Sequence, residues 1–335
     1  MSRSVRVIVE NKLYEVVARA REGLPLPPTG TTNALLSGIM ARTQRHDEVT
    51  LCNYVWMNNH SHKHVIPKTP EFLPRFYCEI LKKTTDSLRT LLGKNSLRIW
   101  EDRASVMMLA ELEDCIRRVI YIFCNPTKAG LVDTIEEYPG LTSWKAFVSC
   151  EPSVEAEVRT EAVWCPVSGL PTSPKSHSLT EKQDKHFLEQ LGLASDLKTH
   201  TLIVKPFAWL SQFGITKPEE IEKIRQKIIS GVRENEAIYR AQRLKDKKRV
   251  VGAKRLKELP YMSPHQPKLR ARKIFLICTN KELRLKLIEF YQGVFDRCRE
   301  CYERIKKGAT AVWPPGTFIP WLPPNKCSSL DGVCV

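Results

Sequence analysis

Residues 51–57 (LCNYVWM), the pair Asn58-Asn59 and residues 60–66 (HSHKHVI) decide how this chain is read. The first run is rich in β-branched and aromatic residues and reads as a strand. The asparagine pair offers a turn, and the histidine run is the next strand. In an extended chain, residues two apart share a face, so His60, His62 and His64 line up on one side of a sheet. Two imidazoles at this spacing can hold one divalent cation. The plainer alternative is a solvated histidine cluster, and His64 is either a third ligand or simply the next residue on that face.

Working outward, residues 5–9 alternate like a strand, and 13–20 can continue a sheet edge. Pro25, Pro27, Pro28 and Gly30 break this pattern, after which Thr31 or Thr32 can cap a helix running to about Arg45. A helix over 71–92 ends at Gly93, a short strand is expected at 97–100, and a further helix at 106–125. The order β-α-β-β-α-β-α predicts an α+β fold, one antiparallel sheet with helices packed on it. Residues 149–183 carry Pro152, Pro166, Pro171 and Pro174 and read as a linker or irregular subdomain. Beyond it, helices are expected over 186–193, 218–243 and 281–307, with a strand at 273–278. A proline-rich tail at 313–324, bearing Trp313, Phe318 and Trp321, is expected to pack back on the body. Three regions result: 1–148, 149–183 and a basic, mainly helical 184–335.

Lys+Arg 53 against Asp+Glu 37 gives a net charge of +16 over 335 residues. The cations are spread through periodic segments, so a polyanion, nucleic acid above all, is the expected partner. Eleven scattered cysteines, an odd count, argue against a disulfide framework and for a reducing cytoplasm. Neither a signal peptide nor a membrane span is expected. Cys298 and Cys301 have the spacing of a zinc half-site, but no partner pair accompanies them; Cys327 and Cys334 lie far off in the tail.

The second informative stretch is Tyr121-Ile-Phe-Cys-Asn125-Pro126. At about 100° per residue, Leu112, Ile116, Val119, Ile120 and Phe123 form one apolar stripe. Tyr121 projects opposite it, with Asn125 one turn on and Asp114, Arg117 and Arg118 on the same polar face. A surface-covering tyrosine and a helix stop at Asn125-Pro126 would explain these residues separately. Taken with the histidines they suggest more. A phenol, with a pKa of about 10, is a weak nucleophile, and a divalent cation that polarises a phosphate is the partner such a nucleophile needs.

These residues carry a family resemblance. Trp56-Met57 followed by Asn59-His60-Ser61-His62 resembles the Met-Pro-Asn-His-hydrophobic-His segment of HUH single-tyrosine transposases. The run from Arg118 through Tyr121, Asn125-Pro126 and Ala129-Gly130-Leu131-Val132 is similar to the signature of the REP-associated tyrosine transposases. Tyr138-Pro139 and Ser143-Trp144 are similar to the element that follows it. The resemblance covers roughly residues 5–148. Residues 251–256, 279–284 and 314–318 also resemble the extension of longer members. It implies a ferredoxin-like catalytic fold, Mg²⁺ or Mn²⁺, and single-stranded DNA cut beside a hairpin (a REP-like palindrome), leaving a 5′-phosphotyrosine and a 3′-hydroxyl. Tyr121 then matches the nucleophile, and His60, His62 and Asn125 the metal ligands. Ser61 stands where the family has a core-facing hydrophobic residue, and Asn58 where it has a proline that tightens the turn.

Arg98, Arg103, Arg117, Arg118 and Lys128 lie near these motifs and are candidate phosphate contacts. So are Lys247, Lys248, Arg249, Lys254 and Arg255 in the basic run 243–257. The expected function is a metal-dependent single-stranded DNA endonuclease and strand transferase, nucleoid-associated, monomeric or homodimeric. The rivals are a replication-initiator or relaxase-like nickase using the same chemistry, and a non-enzymatic DNA-binding descendant.

Overall fold

The computed structural model describes residues 6–46, 48–101, 103–170, 181–193, 197–265 and 274–318. Its strands and helices follow in the order β1 (Tyr14–Arg19), α1 (Gly30–Gln44), β2 (Val49–Trp56), β3 (His60–Pro67), α2 (Phe72–Leu91), β4 (Ser105–Leu109) and α3 (Leu112–Lys128). Then come α4 (Trp144–Ser149), β5 (Val158–Trp164), α5 (Glu181–Leu193), β6 (Lys198–Val204), α6 (Pro218–Lys245), α7 (Ala253–Lys257), β7 (Leu276–Ile277) and α8 (Lys281–Lys306).

The main sheet runs β2-β3-β1-β4-β7, with every neighbouring pair antiparallel except β4 and β7. The first four strands and two helices thus have the β-α-β-β-α-β connectivity of a ferredoxin-like unit, and the expected α+β class holds. On one face, Tyr14, Val16, Trp56 and Val65 pack with Leu36, Ile39, Phe76 and Ile80 of α1 and α2. On the other, Val55 and Leu109 meet Ile116, Val119 and Phe123 of α3, together with Ile228 and Val232 of α6. Residues from both sides of the 149–183 stretch therefore share one core, and β7 extends the sheet itself.

Several boundaries depart from the sequence reading. Residues 6–9 form no strand, and residue 5 lies outside the described residues. Thr29, not Thr31 or Thr32, caps α1, its hydroxyl accepting from Thr32 N. The strand expected at 97–100 is reduced to a single bridge between Ala20 and Trp100. The fourth strand is 105–109, so the helix expected over 106–125 begins only at Leu112. That helix does not stop at Asn125-Pro126. Pro126 sits within its last turn, and the end is set at Gly130 (φ 68°), where Gly130 N donates to Thr127 O and Leu131 N to Pro126 O. This is the paired bonding of a glycine-terminated helix, and the left-handed φ suits glycine best.

Residues 158–164, read as linker, pair in register with 198–204 as a second, two-stranded sheet laid against α1. The strand expected at 273–278 shrinks to Leu276–Ile277, residue 273 lying outside the described residues. Trp313 does pack back on the core, Phe318 is partly exposed, and Trp321, Cys327, Cys334, Pro171 and Pro174 lie outside the described residues. Cys298 and Cys301 contact Thr317 and the Val312 carbonyl, and among the described residues no group of three or more His, Cys, Asp or Glu is placed to hold a metal ion. Nor is any helix among them long and apolar enough to cross a membrane.

The α3–α6 contact positions the tyrosine helix. Gly231 lets the helices approach, since a Cβ there would lie 2.6 Å from Ile120 Cδ1. Ile120, expected in the buried stripe, is only half-buried and fills this contact. Glu236, almost fully buried, accepts from Ile135 N at 2.8 Å and from Arg233 at 2.9 Å. Glu236→Ala leaves the Ile135 N–H without its acceptor, so urea denaturation should show a loss of about 1–3 kcal/mol. Glu236→Gln keeps an acceptor there and should lose less.

Candidate active site

The turn between β2 and β3 is closed by Met57 N donating to His60 O at 2.7 Å. Asn58, expected to loosen it, is instead buried, with Leu26 N bound to its carbonyl at 3.0 Å and the Tyr138 hydroxyl 3.4 Å from its side-chain oxygen. From this turn His60 and His62 rise on the same face of β3, opposite Arg19 and Val17 of β1. Their rings stand edge to face with centroids 5.1 Å apart.

Each ring has one nitrogen tied. His60 Nδ1 lies 2.7 Å from Asn59 Oδ1, and His62 Nδ1 lies 2.7 Å from Glu15 Oε1. Both acceptors are oxygens without a proton to give, so Nδ1 carries the hydrogen in both rings and Nε2 keeps its lone pair. Burial, then the neighbouring His62, Arg19 and His265, pushes His60 down to about 3, which keeps its imidazole neutral.

Glu15 is the residue that the sequence reading missed. It is the second residue of β1, fully buried, and also accepts two hydrogen bonds from Arg118, both at 2.6 Å. Burial alone would raise its pKa. The hydrogen bonds from His62 and Arg118, with the charge of Arg118, reverse this and hold the carboxyl well below the ordinary carboxylate range. A lone acid among the apolar residues Tyr14, Val16, Val17 and Ala18 was the available signal.

α3 crosses this face so that the half-buried Tyr121 ring meets His62 edge to face, centroids 5.7 Å apart. The Arg118 guanidinium lies 4.1 Å and Lys128 Nζ 5.0 Å from the Tyr121 ring centroid. Asn125, one turn further, is buried rather than on a solvated face. Its amide nitrogen lies 3.4 Å from the Ile122 carbonyl, the oxygen that Pro126, lacking an N–H, cannot bond. Its Oδ1 stays available. Each imidazole thus keeps Nε2, and Asn125 keeps its amide oxygen, outside the hydrogen bonds that hold these side chains.

The other candidates fall into three groups. His64 is fully buried deeper on the face, opposite Glu15, with neither ring nitrogen hydrogen-bonded; burial pushes it down to about 4. Arg117 is turned to Asp114 and the Thr279 hydroxyl; Asp114, expected on the polar face, is buried and also accepts from Thr279 N. Arg103 lines a cleft with Arg6 away from Tyr121, and Arg98 is exposed beside Ile99, whose carbonyl binds Arg21 N.

The basic run, by contrast, is brought to the tyrosine helix. Val251 N donates to Gly130 O at 3.0 Å and Gly252 N to Leu131 O at 2.9 Å, while Arg243 reaches the Thr127 carbonyl. Lys247, Lys248, Arg249, Lys254 and Arg255, all exposed, therefore flank the C-terminal end of α3.

Ser61 does face the core, as a hydrophobic residue there would, and is fully buried. Its hydroxyl accepts from the buried Lys63 at 2.7 Å, and Lys63 Nζ stands 3.8 Å from the Trp56 ring centroid.

Compared with known proteins, the chain matches no family model and no curated protein. A solved structure described as the REP associates tyrosine transposase bound to a REP hairpin is similar at 20% identity, covering 44% of this chain and 86% of that chain, with a TM-score of 0.39.

Proposed function

We propose that the protein is a metal-dependent single-stranded DNA endonuclease and strand transferase that acts beside a DNA hairpin through a phosphotyrosine at Tyr121. The observation that carries this reading is the meeting of Tyr121 with a histidine pair whose Nδ1 atoms are both tied and whose Nε2 atoms are both left for a ligand. The run 121–132, with its resemblance to the transposase signature, supports it further.

His60 Nε2, His62 Nε2 and Asn125 Oδ1 would hold one Mg²⁺ or Mn²⁺. Such a cation, when bound, polarises the scissile phosphate and offsets the charge that builds on it. The remaining work falls to the chain. The Tyr121 oxygen attacks phosphorus, the bond from phosphorus to the 3′ oxygen breaks, and the phenolic proton passes on balance to that departing oxygen. The products are a 5′-phosphotyrosine and a free 3′-hydroxyl, and attack by a 3′-hydroxyl reverses the step without outside energy. Arg118 and Lys128 bring positive charge to the phosphate that meets the phenol. The basic run beside the end of α3 grips the flanking backbone.

Incubating the protein with a labelled hairpin oligonucleotide and Mn²⁺ should yield a covalent adduct that Tyr121→Phe abolishes. Binding without an adduct, under any metal or substrate, would leave only a DNA-binding protein. Glu15→Gln should weaken Mn²⁺ binding about 10–100-fold by calorimetry, because His62 loses the carboxylate that orients it; unchanged binding would remove Glu15 from the site. Replacing Lys247, Lys248 and Arg249 by alanine should flatten the salt dependence of DNA affinity by about 2–3 in log–log slope. An unaltered slope would place the DNA elsewhere.

A further inference from the structure

On the opposite face of the sheet from Tyr121, a cleft opens between residues 6–8, the start of β4 and α8. It holds about 120 Å³ and is otherwise open to solvent, so it offers a shallow face rather than a closed chamber. Two kinds of side chain dominate its walls. Arg6 and Arg103 supply guanidinium groups, and Phe275, Tyr291 and Phe295 supply rings. Among the described residues lining it there is no aspartate or glutamate. Arg6 donates one hydrogen bond to the Tyr77 hydroxyl and one to the Ala104 carbonyl, both neutral acceptors, out of the five N–H donors of a guanidinium.

Phe275 is 46% exposed, its ring backed by Tyr291 at 5.2 Å, and its carbonyl is fixed by Met108 N at 3.1 Å. A rigidly backed, solvent-facing ring beside two guanidinium groups matches what an unpaired nucleotide needs: a flat apolar face for the base and a fork of donors for the phosphate. We infer that this cleft binds one unpaired nucleotide of a DNA single strand, base against Phe275 and phosphate at Arg103 and Arg6. The inference rests on the DNA-processing reading above, and it adds a second point of grip distinct from the Tyr121 centre.

The test uses the full-length protein and a bromodeoxyuridine-substituted thymidine oligonucleotide, with photo-crosslinks mapped by mass spectrometry and affinity read by fluorescence anisotropy. Crosslinks should fall on the peptides bearing Phe275 or Tyr291. Phe275→Ala should bind about 10-fold more weakly, and Phe275→Trp should restore affinity. Circular dichroism verifies that each variant is folded. Crosslinks confined to other regions, or unchanged affinity in a folded Phe275→Ala, would overturn the assignment. So would thymidine 5′-monophosphate binding as tightly as the oligonucleotide, which would make the cleft a free-nucleotide site. Adduct formation at Tyr121 is scored separately. An adduct with no role for Phe275 removes the cleft alone; cleft binding with no adduct on any substrate removes the endonuclease alone.

Discussion

A single carboxylate, buried near the start of β1, holds the candidate site together. Glu15 is fully enclosed, and an ionised carboxylate there would be costly without partners. It has two. His62 binds one oxygen, and Arg118 binds both, reaching across from α3. The same group therefore does three things: it fixes which nitrogen of His62 faces outward, it ties α3 to the sheet, and it holds the guanidinium that lies over Tyr121. The packed stripe of Ile116, Val119 and Phe123 turns Tyr121 toward the histidines, and this ion pair adds a polar tie between the same helix and the sheet.

The opposite face of β3 shows how a polar substitution is accommodated in a core. Burial lowers Lys63 to about 7, yet its ammonium finds the Ser61 hydroxyl and the face of Trp56. Ser61 and Lys63, two residues apart on one strand face, are thus a matched pair. A hydrophobic residue at 61 would leave the lysine without its acceptor. This gives Ser61 a structural reason and leaves His60 and His62, on the other face, untouched. The C-terminal half is joined as closely: α6 packs on α3, β7 pairs with β4, and the basic turn hangs by backbone hydrogen bonds from the end of the tyrosine helix.

Much of this was legible because the signals are periodic and local. Alternation along 60–64 alone places the histidines on one face, and β2 and β3 are bounded by an asparagine turn and by Pro67. The helical period puts Tyr121 away from Ile116, Val119 and Phe123. What failed was also local in origin. Residues 105–109 (SVMML) run straight into a helix with no turn residue of the usual kind, so strand and helix merge in the pattern. Pro126 is tolerated inside α3 because its unbonded partner, the Ile122 carbonyl, takes the Asn125 amide instead.

The sequence by itself determined the class of fold, the shared face of the two histidines and the side of α3 on which Tyr121 lies, because each follows from a backbone repeat of two or 3.6 residues. Only the tertiary structure decided that Glu15 is the partner of His62 and Arg118, that residues 247–255 stand beside the tyrosine helix, and that Arg103 turns to a separate cleft. Those pairings join residues far apart in the chain. Their geometry exists only once β1 lies between β3 and β4 and α3 has crossed them.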